Sequence, residues 1–146
     1  MKKIMELRIG DKFSQSTLVT EEMINGFAKY TGDNNPLHLD EEFASKTIFK
    51  KRIAHGFLVG SFISAVLGND FPGEGTIYLS QSIKFRAPVF INDEITVDAE
   101  VLDFPKKQRV LLKTTCQNQN EEIVIEGEAF IIPPPYVKII SNSENL

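Results

Sequence analysis

The stretch His55-Gly-Phe-Leu-Val-Gly-Ser-Phe-Ile-Ser-Ala-Val-Leu-Gly68 decides the fold. It is apolar nearly all the way round, which predicts a helix enclosed by other structure rather than one laid on a surface. At about 1.5 Å of rise per residue it reaches about 21 Å, too short to cross a bilayer. Gly60, Ser64 and Gly68 recur at i, i+4 and i+8, a stripe of small residues along which another backbone, or a ligand, can come close. Close packing on a sheet accounts for such a stripe by itself. The Ser64 hydroxyl, expected to be buried, needs a partner, either a carbonyl one turn back or a ligand.

Downstream the pattern changes to strands and stays there. Thr76–Ile91, Glu94–Phe104, Arg109–Asn118 and Glu122–Ile132 are rich in Val, Ile, Thr and Phe, with turns at Asn92-Asp93, Pro105-Lys106-Lys107 and 118–121. Alternation is clearest at Ile95, Val97, Ala99 and Val101, which are expected to face the core while Thr96, Asp98 and Glu100 face away. Short turns make neighbours antiparallel, so the C-terminal half reads as a meander. Pro133, Pro134 and Pro135 should end the last strand, and Ser141–Leu146 reads as a loose tail. One hydrophobic helix and a long meander pack by curling the sheet about the helix, an α+β arrangement.

Upstream, Lys12–Val19 reads as a first strand. Thr20 is placed as the N-cap of a helix whose face is Met23, Ile24, Phe27 and Ala28, and Gly32 as its end. Asp40 caps a second short helix through Glu41–Ala44. Between the two helices runs Gly32-Asp-Asn-Asn-Pro-Leu-His38. Fully extended, the five residues from Asp33 to His38 would hold carboxylate and imidazole roughly 17 Å apart. Asn34, Asn35 and Pro36 curl a chain instead. If both side chains face one cavity, an acid and a base surround a small reacting centre, as adding or removing water requires. The plainer reading is an Asx-type turn in which Asp33 caps a helix and His38 packs quietly.

A chain of 146 residues suits one domain, here 1–146, with a genuine core; eleven phenylalanines supply interior and there is no tryptophan. A net charge of −4 argues against nucleic acid as the main partner. Cys116 has no internal partner and reads as a small buried hydrophobe in a reducing compartment. Met1–Gly10 shows no sustained apolar stretch, so no signal peptide and a cytoplasmic address are expected, with no membrane partner. Lys50, Lys51 and Arg52 form a basic run that reads either as a solvated loop or as a phosphate contact. Two histidines far apart in spacing and one cysteine indicate no metal site.

Gly32–Asp40, followed by Ala54-His55-Gly56 and a helix bearing Ser64, resembles the (R)-specific enoyl-CoA hydratases of the MaoC-like dehydratase family, a hot-dog fold. Ile77–Ser82 and Phe85–Phe90 also look like that family, so the resemblance spans nearly the whole chain. It implies a sheet wrapped round the 55–68 helix, a homodimer joined edge to edge, a site near the dimer interface, an acyl-CoA substrate and no cofactor. Residue by residue, it places Asp33 and His38 on the hydratase pair and the Gly56 N–H on the thioester oxygen. Ser64 falls on a serine associated with that site, and Asn35 within the motif. His55 is expected to support the loop rather than react. The dehydratase pattern for carrier-protein substrates, His-x-x-x-Gly-x-x-x-x-Pro, is absent, since Glu42 and Val59 stand where its glycine would be. A thioesterase of the same fold commonly needs a carboxylate on the central helix, and 56–68 has none. A silent scaffold would have no use for Asp33, His38 and Gly56 together.

Overall fold

The computed structural model describes residues 4–141. In chain order the elements are β1 (Met5–Arg8), β2 (Lys12–Leu18), α1 (Glu21–Thr31), α2 (Pro36–Leu39), α3 (Glu41–Ser45), α4 (Gly56–Asn69), β3 (Ile77–Gln81), β4 (Lys84–Phe85), β5 (Glu94–Asp103), β6 (Val110–Gln117), β7 (Ile123–Ile132) and β8 (Val137–Ile140). The main sheet is antiparallel with order β2-β5-β6-β7-β3, and β4 also pairs with β7. Its inner face buries Ile95, Val97, Ala99 and Val101 of β5 against Leu58, Val59, Ile63, Val66 and Leu67 of α4, in one continuous core. Full burial of an aliphatic side chain such as Ile63 contributes about 1.5–3 kcal/mol.

The helix ends follow local chemistry. Thr20 Oγ1 accepts the Met23 N–H at 3.1 Å, and Gly32 closes α1 at φ 80°, where a side chain would be strained. Asp40 Oδ1 caps α3 through the Phe43 N–H at 3.1 Å. Cys116 is fully buried on β6, and burial pushes its thiol up to about 12.

Two features depart from the expectation. The stretch 76–91 is not one strand, because it breaks after Gln81. There the Ser82 carbonyl lies 1.8 Å from where a Cβ on residue 127 would stand, so only Gly127 lets the two backbones meet. The segment then re-pairs as β4, and its partner is β7 rather than the strand next in sequence. The prolines do end β7, yet the chain resumes as β8, parallel to β1 in a separate two-stranded sheet. The sheet packs on α4 as anticipated, and among the described residues one face of the helix has no strand over it. Phe57 is 69% exposed, and Ser61, Ser64 and Ala65 on the same face are also exposed. Strands β1 and β8 pair with each other and not with the main sheet. Of the expected tail, residues 142–146 lie outside the described residues. Among those described, no helix is long and apolar enough to cross a membrane.

Candidate active site

The loop after α1 is built by its own side chains. Thr31 Oγ1 accepts the Asp33 N–H at 3.2 Å, and Asp33 Oδ1 sits 3.4 Å from the Asn35 N–H. Asn35 Oδ1 then accepts the Leu37 N–H at 3.0 Å with Pro36 at the first helical position, so the expected curl is the one-turn helix α2. Asn35 is thereby the cap of the turn that carries His38, through its Oδ1.

A second segment, 52–55, clamps this loop. His38 Nδ1 donates to the Ile53 carbonyl at 2.8 Å, which leaves Nε2 as the ring nitrogen outside that bond. His55 Nε2 donates to the Asp33 carbonyl at 3.1 Å, and the Ile53 N–H reaches the Leu37 carbonyl at 3.4 Å. As a result a carboxylate oxygen of Asp33 and one ring nitrogen each of His38 and His55 lie within 4.8 Å of one another. The pair expected to converge does so.

The histidines, separated by seventeen residues in sequence, are not far apart: their ring centroids are 3.9 Å apart at a 31° tilt. That corrects the spacing argument against a metal, although one nitrogen of each ring, His38 Nδ1 and His55 Nε2, is engaged by a backbone carbonyl. His55 is 1% exposed and its Nδ1 has no partner. Burial holds its pKa below the usual 6.5, the bond to Asp33 opposes this, and His38 adds to it. It supports the loop as a neutral ring, packed also on Phe27 at 4.7 Å.

His38 and Gly56 line one cavity of about 410 Å³ with Phe49, Ile53, Phe57 and Phe85. Gly56 opens α4, whose N-cap, His55, makes no side-chain bond to the first turn. The helix therefore presents backbone N–H groups and the positive end of its dipole beside the cavity. A Cβ on Gly56 would stand 2.6 Å from the Phe85 ring, so the glycine makes room for that ring. Phe57 and Phe85 meet edge to face at 5.8 Å on the cavity wall. Neither phenylalanine is singled out by periodicity. Phe85 comes from a two-residue strand whose place depends on β7.

Two expected site residues lie elsewhere. Ser64 is exposed and faces a separate groove with Phe57, Gly60, Tyr78, Leu79 and Ile83, because the side of α4 that carries it has no sheet over it. Arg52 is 8% exposed and turned inward. It donates to the His38 carbonyl at 2.7 Å, to Glu21 at 3.0 Å and to Asn25 at 3.2 Å, so its guanidinium is not available to a phosphate. Lys50 and Lys51 are exposed as expected, Lys50 at φ 67° and Lys51 Nζ 4.5 Å from the centre of the Phe90 ring.

Known proteins similar to this chain are named as hydratases and dehydratases. An (R)-specific enoyl-CoA hydratase of Rhodospirillum rubrum is 44% identical over 130 residues, 88% of this chain and 90% of that one. A mitochondrial 3-hydroxyacyl-[acyl-carrier-protein] dehydratase of Arabidopsis thaliana is 40% identical over 88% of this chain and 78% of its own. Among solved structures, the (R)-hydratase of Aeromonas caviae involved in PHA biosynthesis superposes with a TM-score of 0.85 at 38% identity, covering 88% of this chain and 98% of that chain. The family described as MaoC like domain matches residues 6–124. On both sequence and fold, this chain belongs to the MaoC-like dehydratase family of hot-dog proteins.

Proposed function

We propose that the protein is an (R)-specific enoyl-CoA hydratase, a hydro-lyase that reversibly adds water to the C2=C3 bond of a trans-2-enoyl-CoA to give the (R)-3-hydroxyacyl-CoA. One observation carries this reading: the Asp33 carboxylate and the His38 ring converge beside a cavity whose wall includes the N-terminus of α4. In the hydration direction, Asp33 and His38 hold the water between them and take its proton as oxygen attacks C3. The same pair returns a proton to C2. Charge grows meanwhile on the thioester oxygen, where the Gly56 N–H meets it without reorganising. The two side chains act as one unit on that water. Hydration brings no net oxidation or reduction, and the reaction asks for no redox cofactor. The (R) sense is supported by the names of the relatives.

Coenzyme A is favoured over a protein carrier by the two exposed lysines beside the cavity-lining segment 53–57, a charge pattern suited to its phosphates. The dehydratase of Arabidopsis supports carrier-bound substrates as the second reading. We further propose a homodimer. The bare face of α4 and the edge strand β3, with Ile77, Tyr78 and Leu79 36–54% exposed, form one apolar surface of a kind that a second copy would cover. A coenzyme A substrate and the lone buried Cys116 suit the cytoplasm.

The test mixes purified protein with crotonyl-CoA and follows both loss of the conjugated enoyl absorbance and release of thiol. Hydration without thiol release is expected. Thiol release alone would turn the reading to a thioesterase, and silence in both to a scaffold. A crotonyl carrier protein turned over with a higher kcat/KM than the CoA ester would favour the second reading.

A further inference from the structure

We propose that Arg52 is a positioning residue for His38, an inference that rests on the hydratase reading. Its Nε–H donates to the His38 carbonyl at 2.7 Å, while the carbonyl of the next residue, Ile53, holds the His38 ring at 2.8 Å. Two consecutive residues thus grip one histidine by its backbone and by its ring. The other edge of the guanidinium is anchored on α1, through Glu21 and Asn25. Those two residues stand four apart on one helical face, so the planar fork bridges helix and loop.

Stability alone accounts poorly for this arrangement. The Glu21 side chain is 60% exposed, and an ion pair with so much water about it contributes little. What the fork supplies is a fixed distance between α1 and the loop that carries Nε2. A misplacement of about 1 Å at a reacting group can cost on the order of a hundredfold in rate.

Arg52→Lys separates the two roles. A lysine keeps the charge and can reach Glu21 or Asn25, but it has no Nε–H for the His38 carbonyl while doing so. Expected is a melting temperature close to that of the unsubstituted protein, with kcat down at least tenfold and KM within about twofold. Arg52→Ala should show the same loss, and low, non-denaturing guanidinium chloride should restore part of its kcat where sodium chloride does not. If kcat of folded Arg52→Lys stays within twofold, the proposal is wrong. It is equally wrong if KM alone rises, which would return Arg52 to phosphate binding. Should neither Arg52 variant fold, Glu21→Ala with Asn25→Ala removes the outer anchors: kcat lowered at constant KM supports the grip, and an unchanged kcat overturns it. If the unsubstituted protein has no hydratase activity, the hydratase reading fails, and the grip is then read from the His38 imidazole nitrogen resonances in NMR. These should shift in Arg52→Lys, and unmoved resonances would end the proposal separately.

Discussion

The loop at 33–38 and the outward face of α4 are the two regions that reward comparison. The first is polar and over-determined: Arg52, Ile53 and His55 bond its backbone or its histidine, and its own Thr31 and Asn35 finish the turns. The second is apolar and bare, with Phe57 at 69% and Leu79 at 44% exposure and, among the described residues, no strand across it. A loop whose backbone and histidine are gripped from within one chain is positioned before anything binds, as proton transfer at a fixed distance requires. An apolar face left open is instead the kind of surface that the proposed second copy would cover.

Breaking the polar region should have the largest effect. Asp33→Asn and His38→Gln are each expected to lower hydration of crotonyl-CoA by about 10² to 10⁴, with circular dichroism unchanged. Retention of most activity by either would remove that residue from the chemistry. Next comes the seam between the two regions, Gly56. Ala in its place keeps the N–H but pushes on Phe85, and kcat/KM should fall by roughly tenfold. Adding Phe85→Leu should recover part of the loss, and no recovery would mean that the ring is not the cause.

On the bare face, Ala65→Arg places a charge where a second copy is proposed to sit. Sedimentation should show the dimer giving way to monomer while the secondary structure survives; an unaltered dimer would move the interface elsewhere. Smaller again is the effect of Lys50→Ala with Lys51→Ala, expected to raise KM for the CoA ester by roughly two- to fivefold at low salt and less at high salt. A KM independent of charge would end the phosphate reading. The smallest effect concerns pH. Burial lowers the folded pKa of His55, so the unfolded chain binds a proton more readily there, and stability should fall as pH drops below about 6.5. His55→Gln should flatten that part of the pH dependence of Tm.

Much of the architecture was readable because it is decided locally. Thr20 and Asp40 are caps and Gly32 is a helix end by the chemistry of a few neighbouring residues. The alternation of β5 shows which of its side chains are buried before any partner strand is known. The pairing of β3 and β4 with β7 was not readable, since it depends on Ser82 meeting Gly127 across 45 residues of chain. Arg52 stood in a basic run with Lys50 and Lys51, and nothing in that run distinguishes the one that turns inward.

The amino-acid order by itself determined the motif from Gly32 to His38, the apolar helix and the strand-rich half, because capping, turn formation and periodicity act over a few residues. Only the tertiary structure decided that His38 and His55 stack, that Arg52 holds His38, and that Ser64 faces outward. Each of those depends on segments distant in sequence meeting at van der Waals or hydrogen-bond range, which no local pattern encodes.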